Sequence, residues 1–242
     1  MQNFDPTPCL PHWARAESRP MRQAIYTIEQ IMLRSPGVDL QIAALHRPGT
    51  GDERLEMLGT VDAMGNTTDD LREILRQARG ANCSKRSPAN ILFRPDPSQS
   101  HPWLFCDYLG TERLLALASQ IAGIAIQTSE GNGQARLLAD RPMSQDERGA
   151  AQRVLSLHLD GDPGSVSGEK WGRLPGFTNQ KPGKQGQWTN ILCDTTGIQP
   201  AVIADRLLSL APWRGVRAPS VCSLSCGGGL KPPARSLSLS GL

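Results

Sequence analysis

Ala125-Ile-Gln-Thr-Ser-Glu-Gly-Asn-Gly-Gln-Ala-Arg-Leu-Leu138 sets two short apolar runs on either side of Glu130-Gly-Asn-Gly133. Asn and Gly tolerate positive φ, so the four central residues close a hairpin and the flanking runs pair antiparallel. A chain that returns on itself with no helix between its strands argues against a doubly wound parallel sheet. Neighbouring segments read the same way. Val38-Asp-Leu-Gln-Ile-Ala43 alternates apolar and polar residues as a half-buried strand does, His46-Arg-Pro-Gly-Thr-Gly-Asp52 is a loop, and residues 55–61 return as a second strand. Residues 90–94 and 102–108 are two further short strands, separated by Pro95-Asp-Pro-Ser-Gln-Ser100.

Helical spacing fills the intervals. Ala24, Ile25, Ile28, Ile31 and Met32 recur at three and four, which predicts a one-faced helix over 21–33. Thr67 with Asp70 is a capping signal for Leu71, Ile74, Leu75 and Ala78, a run that Gly80 should end. Thr111 is expected to cap the helix of Leu114, Leu115, Leu117, Ala118 and Ile121. Ser144-Gln-Asp-Glu147 is a capping box opening a helix through Ala151, Val154, Leu155 and His158. Pro200 suits the first turn of a last helix bearing Val202, Ile203 and Leu207. The order predicts an α+β fold, with a mixed central sheet of about six strands flanked by helices. Residues 1–20 read as a lead-in, 21–210 as the main domain, and 211–242 as a Gly/Ser/Pro-rich tail. That tail carries Arg214, Arg217, Lys231 and Arg235 and no acid, so the small net positive charge of the chain is local.

The 242 residues are 38% hydrophobic and hold 26 basic against 23 acidic side chains, enough to bury a core. No apolar run reaches the roughly 18 residues of a membrane helix. The start of the chain, with Asp5, Pro6 and Pro8, has no apolar segment of a secretory signal. A cytoplasmic protein that does not span membranes is the expectation. The six cysteines are scattered, and Cys222 and Cys226 lack a second ligand pair, which argues against both a disulfide framework and a zinc site. Gly164-Ser-Val-Ser-Gly-Glu-Lys170 is not a phosphate-binding P-loop, because its spacing is short and Trp171 stands where a Ser or Thr must bind magnesium. Gly131-Asn-Gly133 lies between strands, not before a helix, so it is no dinucleotide fingerprint. Asp160-Gly-Asp162 opens like a calcium loop, but Gly164 and Trp171 occupy later ligand positions.

Three segments carry possible chemistry. In Trp103-Leu-Phe-Cys-Asp-Tyr108 an acid emerges at the end of an apolar strand, as a metal ligand at the sheet rim or as a helix cap. The polar tip of the 126–136 hairpin is a plain turn or an anion site built from backbone N–H groups. The stretch from Asp160-Gly-Asp-Pro-Gly-Ser165 to Arg173-Leu-Pro-Gly-Phe-Thr-Asn-Gln-Lys-Pro182 is a long loop, acidic first, then set with Arg173, Asn179, Lys181 and Lys184 around Phe177. Loops of such length inside a domain are functional or merely solvated. Acids for a divalent cation beside bases for a polyphosphate are what nucleotidyl transfer requires. Trp171, Phe177 and Trp188 sit among bases and are packing residues or stacking platforms for nucleobases.

Taken together, these segments resemble the RepB-type plasmid primases of the archaeo-eukaryotic primase superfamily, which occur also fused to mobilisation relaxases. Residues 90–94 and 104–109 resemble the strand pair of the family's first acidic motif, Gln127-Thr-Ser-Glu-Gly-Asn132 resembles its hairpin motif, and residues 161–165 with 173–182 resemble its third block. The similarity covers roughly 21–189. It implies an RRM-like catalytic core that makes short primers on single-stranded DNA from nucleoside triphosphates at the start of plasmid replication, with a replicative helicase as a partner. Carried over, Asp107 and Asp162 are the catalytic acids holding Mg²⁺ or Mn²⁺, with Asp160 as a further ligand. Ser129, Asn132 and Asn179 lie by the nucleotide, and Arg173 and Lys181 contact phosphate. The family's first motif has two adjacent acids, whereas Cys106 and Tyr108 flank Asp107 here. The alternative is therefore a catalytically degenerate relative that binds DNA as a regulatory module. A relaxase is disfavoured, because the four histidines are scattered and neither Tyr26 nor Tyr108 is suitably placed.

Overall fold

Helix α1 (Arg19–Leu33) buries Ala24, Ile25, Ile28 and Ile31 along the stripe that their spacing defines. The computed structural model describes residues 4–62 and 68–211, so Thr67, Cys222, Cys226 and the basic tail from Pro212 onward lie outside the described residues. After α1 come β1 (Leu40–His46), β2 (Arg54–Val61), α2 (Thr68–Asn82) and β3 (Ala89–Pro95). β1 pairs antiparallel with β2 on one side and β3 on the other, and β7 (Gly172–Arg173) joins the far edge of β3. This first sheet has the order β2-β1-β3-β7. Leu71, Ile74 and Leu75 of α2 and the α1 stripe pack with Leu40, Ile42, Ile91 and Phe93 in one core.

β4 (His101–Gly110) leads into α3 (Thr111–Ala118), then the hairpin of β5 (Gly123–Ser129) and β6 (Asn132–Met143), then α4 (Gln145–Leu159). Farther along, β8 (Asn190–Asp194) and α5 (Ala204–Leu210) complete a second sheet and its cover. Its order is β4-β6-β5-β8, antiparallel throughout. Because strand side chains alternate, Trp103, Ile124 and Ile126 face the first core, while Leu104, Cys106 and Ala125 face a second core with α3, α4 and α5.

The α+β class holds, but the strands form two four-stranded sheets where the sequence suggests one of about six. The β3–β4 connection moves the chain from one sheet to the other. Fully buried Arg148 of α4 anchors this crossing by donating to the carbonyls of Pro97, Gln99, Met143 and Gly168 at 2.6–3.1 Å. Three local expectations also shift. α2 runs through Gly80 to Asn82, where the Asn82 amide is tied to Ala89 and Thr178. Gly110 occupies the N-cap of α3, and the Thr111 hydroxyl is buried without a partner. Pro200 precedes a single parallel bridge between Val202 and Ala139, and the α5 helix starts later, with Asp140 accepting from the Ala204 N–H at 2.9 Å. By contrast the Ser144 capping box forms in full.

Candidate active site

Cys106 lies opposite Ala135 and Leu109 opposite Gly133, so β4 carries one extra residue, a bulge at Asp107 and Tyr108. Tyr108 takes a left-handed φ of 61° to accommodate it. Its N–H donates to Asp107 Oδ1 at 2.8 Å. Strand alternation puts Asp107 on the side of Trp103 and Phe105, toward the first sheet, and turns Cys106 into the second core. Burial pushes the Asp107 carboxyl above the ordinary carboxylate range. The Tyr108 N–H and the Arg173 charge oppose that push, and the nearby Asp162 charge adds to it.

The long loop after α4 is thoroughly pinned. Asp162 donates its N–H to the Asp107 carbonyl at 3.1 Å, and its Oδ1 accepts from Gly164 at 2.8 Å, capping a short 3-10 turn. The Gln134 amide grips Arg173 through both backbone groups, at 2.8 and 3.0 Å, while β7 pairs with Leu92 and Phe93. Farther on, Asn82 holds Thr178, Asn90 accepts from the Gln180 N–H, and the Asn179 amide donates to the Thr128 carbonyl at 3.0 Å. Gly176 has a φ of 90°, and a Cβ there would lie 2.0 Å from the Pro20 carbonyl oxygen. Only glycine lets this loop seat against the start of α1.

Between the two sheets these elements enclose a cleft of about 650 Å³. Asp107, Ser129, Asn132, Arg173, Asn179 and Lys181 all line it, brought together from four separate stretches of sequence. Lys170 and Lys184 add two more cations, and among the described residues Asp107 is the only acid of the lining. Leu45, Leu55 and Leu92 give the cleft an apolar floor. Asp162 adjoins the cleft through its backbone contact with Asp107. Asp160 stands apart: it ends α4 in a left-handed conformation, is 92% exposed, and lies 3.6 Å from Arg113. Of the three aromatic candidates, Phe177 is buried in the first core, Trp171 stacks under Arg94 at 4.2 Å, and Trp188 is half exposed.

Arg136 is the participant that sequence reading passes over. It is fully buried opposite Phe105, with its guanidinium 4.4 Å from the Phe105 ring and 5.0 Å from Phe93, and it donates to the carbonyls of Phe93 and Lys170. Burial lowers its pKa to about 9, and Asp107 opposes that shift. It thus rivets the two sheets together beneath Asp107. The only sequence signal for it is a charge on the apolar face of β6, visible once the hairpin register is known.

For a divalent cation, the donors at hand are the carboxylates of Asp107 and Asp162. No group of three or more His, Cys, Asp or Glu that could hold a metal occurs among the described residues. Two hard carboxylates fit Mg²⁺ or Mn²⁺ shared with substrate phosphates and water, not a closed protein cage.

The model of the RepB DNA-primase N-terminal domain matches residues 71–204, more than half of the chain. The chain belongs to this primase family. Its domain is 25% identical over 162 residues to Mobilization protein A of Escherichia coli, a match covering 59% of this chain and 23% of that relative, so the chain spans about a quarter of the relative's length. Two solved structures of the primase RepB′ share the fold. The catalytic domain in complex with initiator DNA gives a TM-score of 0.56 at 20% identity, covering 75% of this chain and 91% of that one. The other gives 0.57 at 19% identity, covering 75% and 60%. The archaeo-eukaryotic primase domain of the cyanophage S-2L primase-polymerase gives 0.53 at 13% identity, covering 79% and 98%. No helix among the described residues is long and apolar enough to cross a membrane.

Proposed function

We propose that this domain is an active DNA primase, a template-directed nucleotidyltransferase that makes short primers on single-stranded DNA for plasmid-type replication. The observation that carries this reading is the cleft itself, where one half-buried carboxylate faces Lys170, Arg173, Lys181 and Lys184. A nucleoside triphosphate matches that polarity, its phosphates meeting the cations and its base and sugar meeting Leu45, Leu55 and Leu92. Asp107 and Asp162 would hold Mg²⁺ or Mn²⁺. The ion supplies charge that favours attack by the 3′-oxygen and departure of pyrophosphate. Within the chain, the Tyr108 N–H orients Asp107, and Arg136 keeps the sheets in register below it. Ser129 and Asn132, paired across the hairpin end, present polar groups to the nucleotide. Arg173 and Lys181 hold phosphate without reading sequence. We assign the protein to the cytoplasm, with a plasmid replicative helicase as partner. Relatedness to a mobilization protein supports the plasmid setting.

The alternative reading starts from one feature. The first motif of the family has two adjacent acids, whereas Asp107 is flanked here by Cys106, which faces the core, and by Tyr108. On that reading the domain binds DNA as a regulatory module. Primer synthesis on single-stranded DNA with labelled nucleotides separates the two. Metal-dependent product from wild type, lost in Asp107→Ala and Asp162→Ala while both variants stay folded, establishes the primase. Absence of product on varied templates, with DNA binding kept in all three proteins, establishes the binding module.

A further inference from the structure

Residues 178–188 form a hairpin arm of the long loop, with Thr178 bridging Trp188 and Asn179 donating to the Gln187 carbonyl at 2.7 Å. Its turn carries Lys181 and Lys184 into the cleft. The returning strand points two ways. Gln187 reaches the β5–β6 turn, where its Oε1 accepts from the Glu130 N–H at 3.1 Å. Trp188 faces a separate pocket of about 280 Å³, shared with Arg19, Pro20, Gln23 and Asn190. Trp188 is 49% exposed, more than any other tryptophan among the described residues.

We propose that this pocket is a second subsite of the protein, taking a nucleobase of a single strand that continues out of the cleft. The proposal rests on the primase reading for the identity of the polymer and on the pocket's own construction for the site. The pocket is already built. Gly176 abuts the Pro20 carbonyl, Gln23 Oε1 accepts from the Ile191 N–H at 3.1 Å, and the Asn190 amide donates to the Trp188 carbonyl at 3.2 Å. Gln23 and Asn190 are thus held in place before a ligand arrives, which limits the ordering cost of binding there. Arg19 is its only charged lining residue. An aromatic face beside a lone cation is matched by a base and its phosphate. Lys181 and Lys184, on the turn of the same hairpin arm, line the cleft, so one arm carries cations to the cleft and Trp188 to the pocket. A free nucleoside triphosphate is satisfied by the cleft alone, whereas a strand long enough to pass the hairpin arm engages both places.

The test measures the affinity of the full chain for oligodeoxynucleotides of about 4 and about 16 nucleotides, the span of common single-strand site sizes. Trp188→Ala should weaken binding of the longer strand about 5- to 150-fold, the loss expected for one stacked base, and leave the shorter strand and nucleoside triphosphate unaffected. Trp188→Phe should keep most of the affinity. Arg19→Ala should give a smaller loss that shrinks as salt rises. If Trp188→Ala binds both lengths as wild type does, or loses both equally, the subsite does not exist. Unchanged DNA affinity with altered self-association assigns the pocket to a second copy of the chain and likewise overturns the proposal. Wild type that binds neither strand overturns the primase reading and the subsite together. Lys181→Ala with Lys184→Ala weakening both lengths, while Trp188→Ala weakens neither, leaves that reading intact and removes only the subsite.

Discussion

Tyr108 holds a left-handed backbone that costs an ordinary residue about 1–2 kcal/mol, and its ring, 70% exposed, recovers little by packing. Such strain persists where the surrounding structure imposes it, here the bulge that aims a backbone N–H at Asp107. Tyr108→Gly should therefore stabilise the fold by up to about 1 kcal/mol in thermal melts, since glycine adopts this φ freely. The same variant should lower primer yield, because the ring lining the cleft is lost. A melting temperature that falls would show that the ring packs in a way its exposure conceals. Cys106 illustrates the same point from the other side. Buried in an apolar core, its thiol pKa is pushed up to about 12, so it remains neutral and cannot substitute for an acid.

Among the elements, the loop after α4 matters most for the site. Its regular structure is a 3-10 turn, the two-residue strand β7 and one bridge between Thr178 and Trp188, yet it is fixed by side-chain amides from α2, β3 and β6 and by the close approach of Gly176 to Pro20. Gly176→Ala should cost at least about 2 kcal/mol, because a Cβ would collide with backbone at a φ unfavourable to alanine. Its signature should extend beyond stability. Amide exchange should rise across 176–180, and phosphate affinity should drop as Lys181 loses its anchor on Asn179. If exchange stays slow there, α1 yields instead of the loop.

Across the whole molecule, two cores share one sheet, and His101 sits beside the crossing between the sheets. It is 3% exposed, its Nδ1 accepts from the Trp103 N–H at 3.2 Å, and burial with the charges of Arg148 and Arg136 lowers its pKa to about 2. The folded ring is thus neutral with its proton on Nε2. Since the unfolded chain binds a proton below about pH 6.5 and the folded chain does not, this group's contribution to stability is lost as pH falls. The decline is about 1.4 kcal/mol per pH unit, or roughly 2–3 kcal/mol between pH 7 and 4.5. Denaturant melts across that range should show it, and His101→Gln should flatten the dependence. An equally steep curve in the variant would assign the effect to other groups.

What the sequence determined by itself is whatever depends on near neighbours. The stripe of α1, the turn at Glu130 and Gly131, the Ser144 capping box and the residue order of the three motifs all follow from local sterics, capping and periodicity. So does the family, since its motifs are built from short local stretches. Tertiary structure decided the rest. Division into two sheets depends on Arg148 gathering four carbonyls that lie up to 51 residues away in the chain. Thr111 yields its cap to Gly110, and Pro200 gives way to a bridge at Val202, because long-range contacts outweigh a local preference worth about 1 kcal/mol. Gathering Asp107, Asn132, Arg173 and Lys181 into one cleft, turning Asp160 outward to Arg113 and burying Arg136 beneath Asp107 are likewise products of strand register and loop anchoring. Spacing along a chain cannot reveal which face of a bulged strand an acid will occupy, because one inserted residue reverses the alternation.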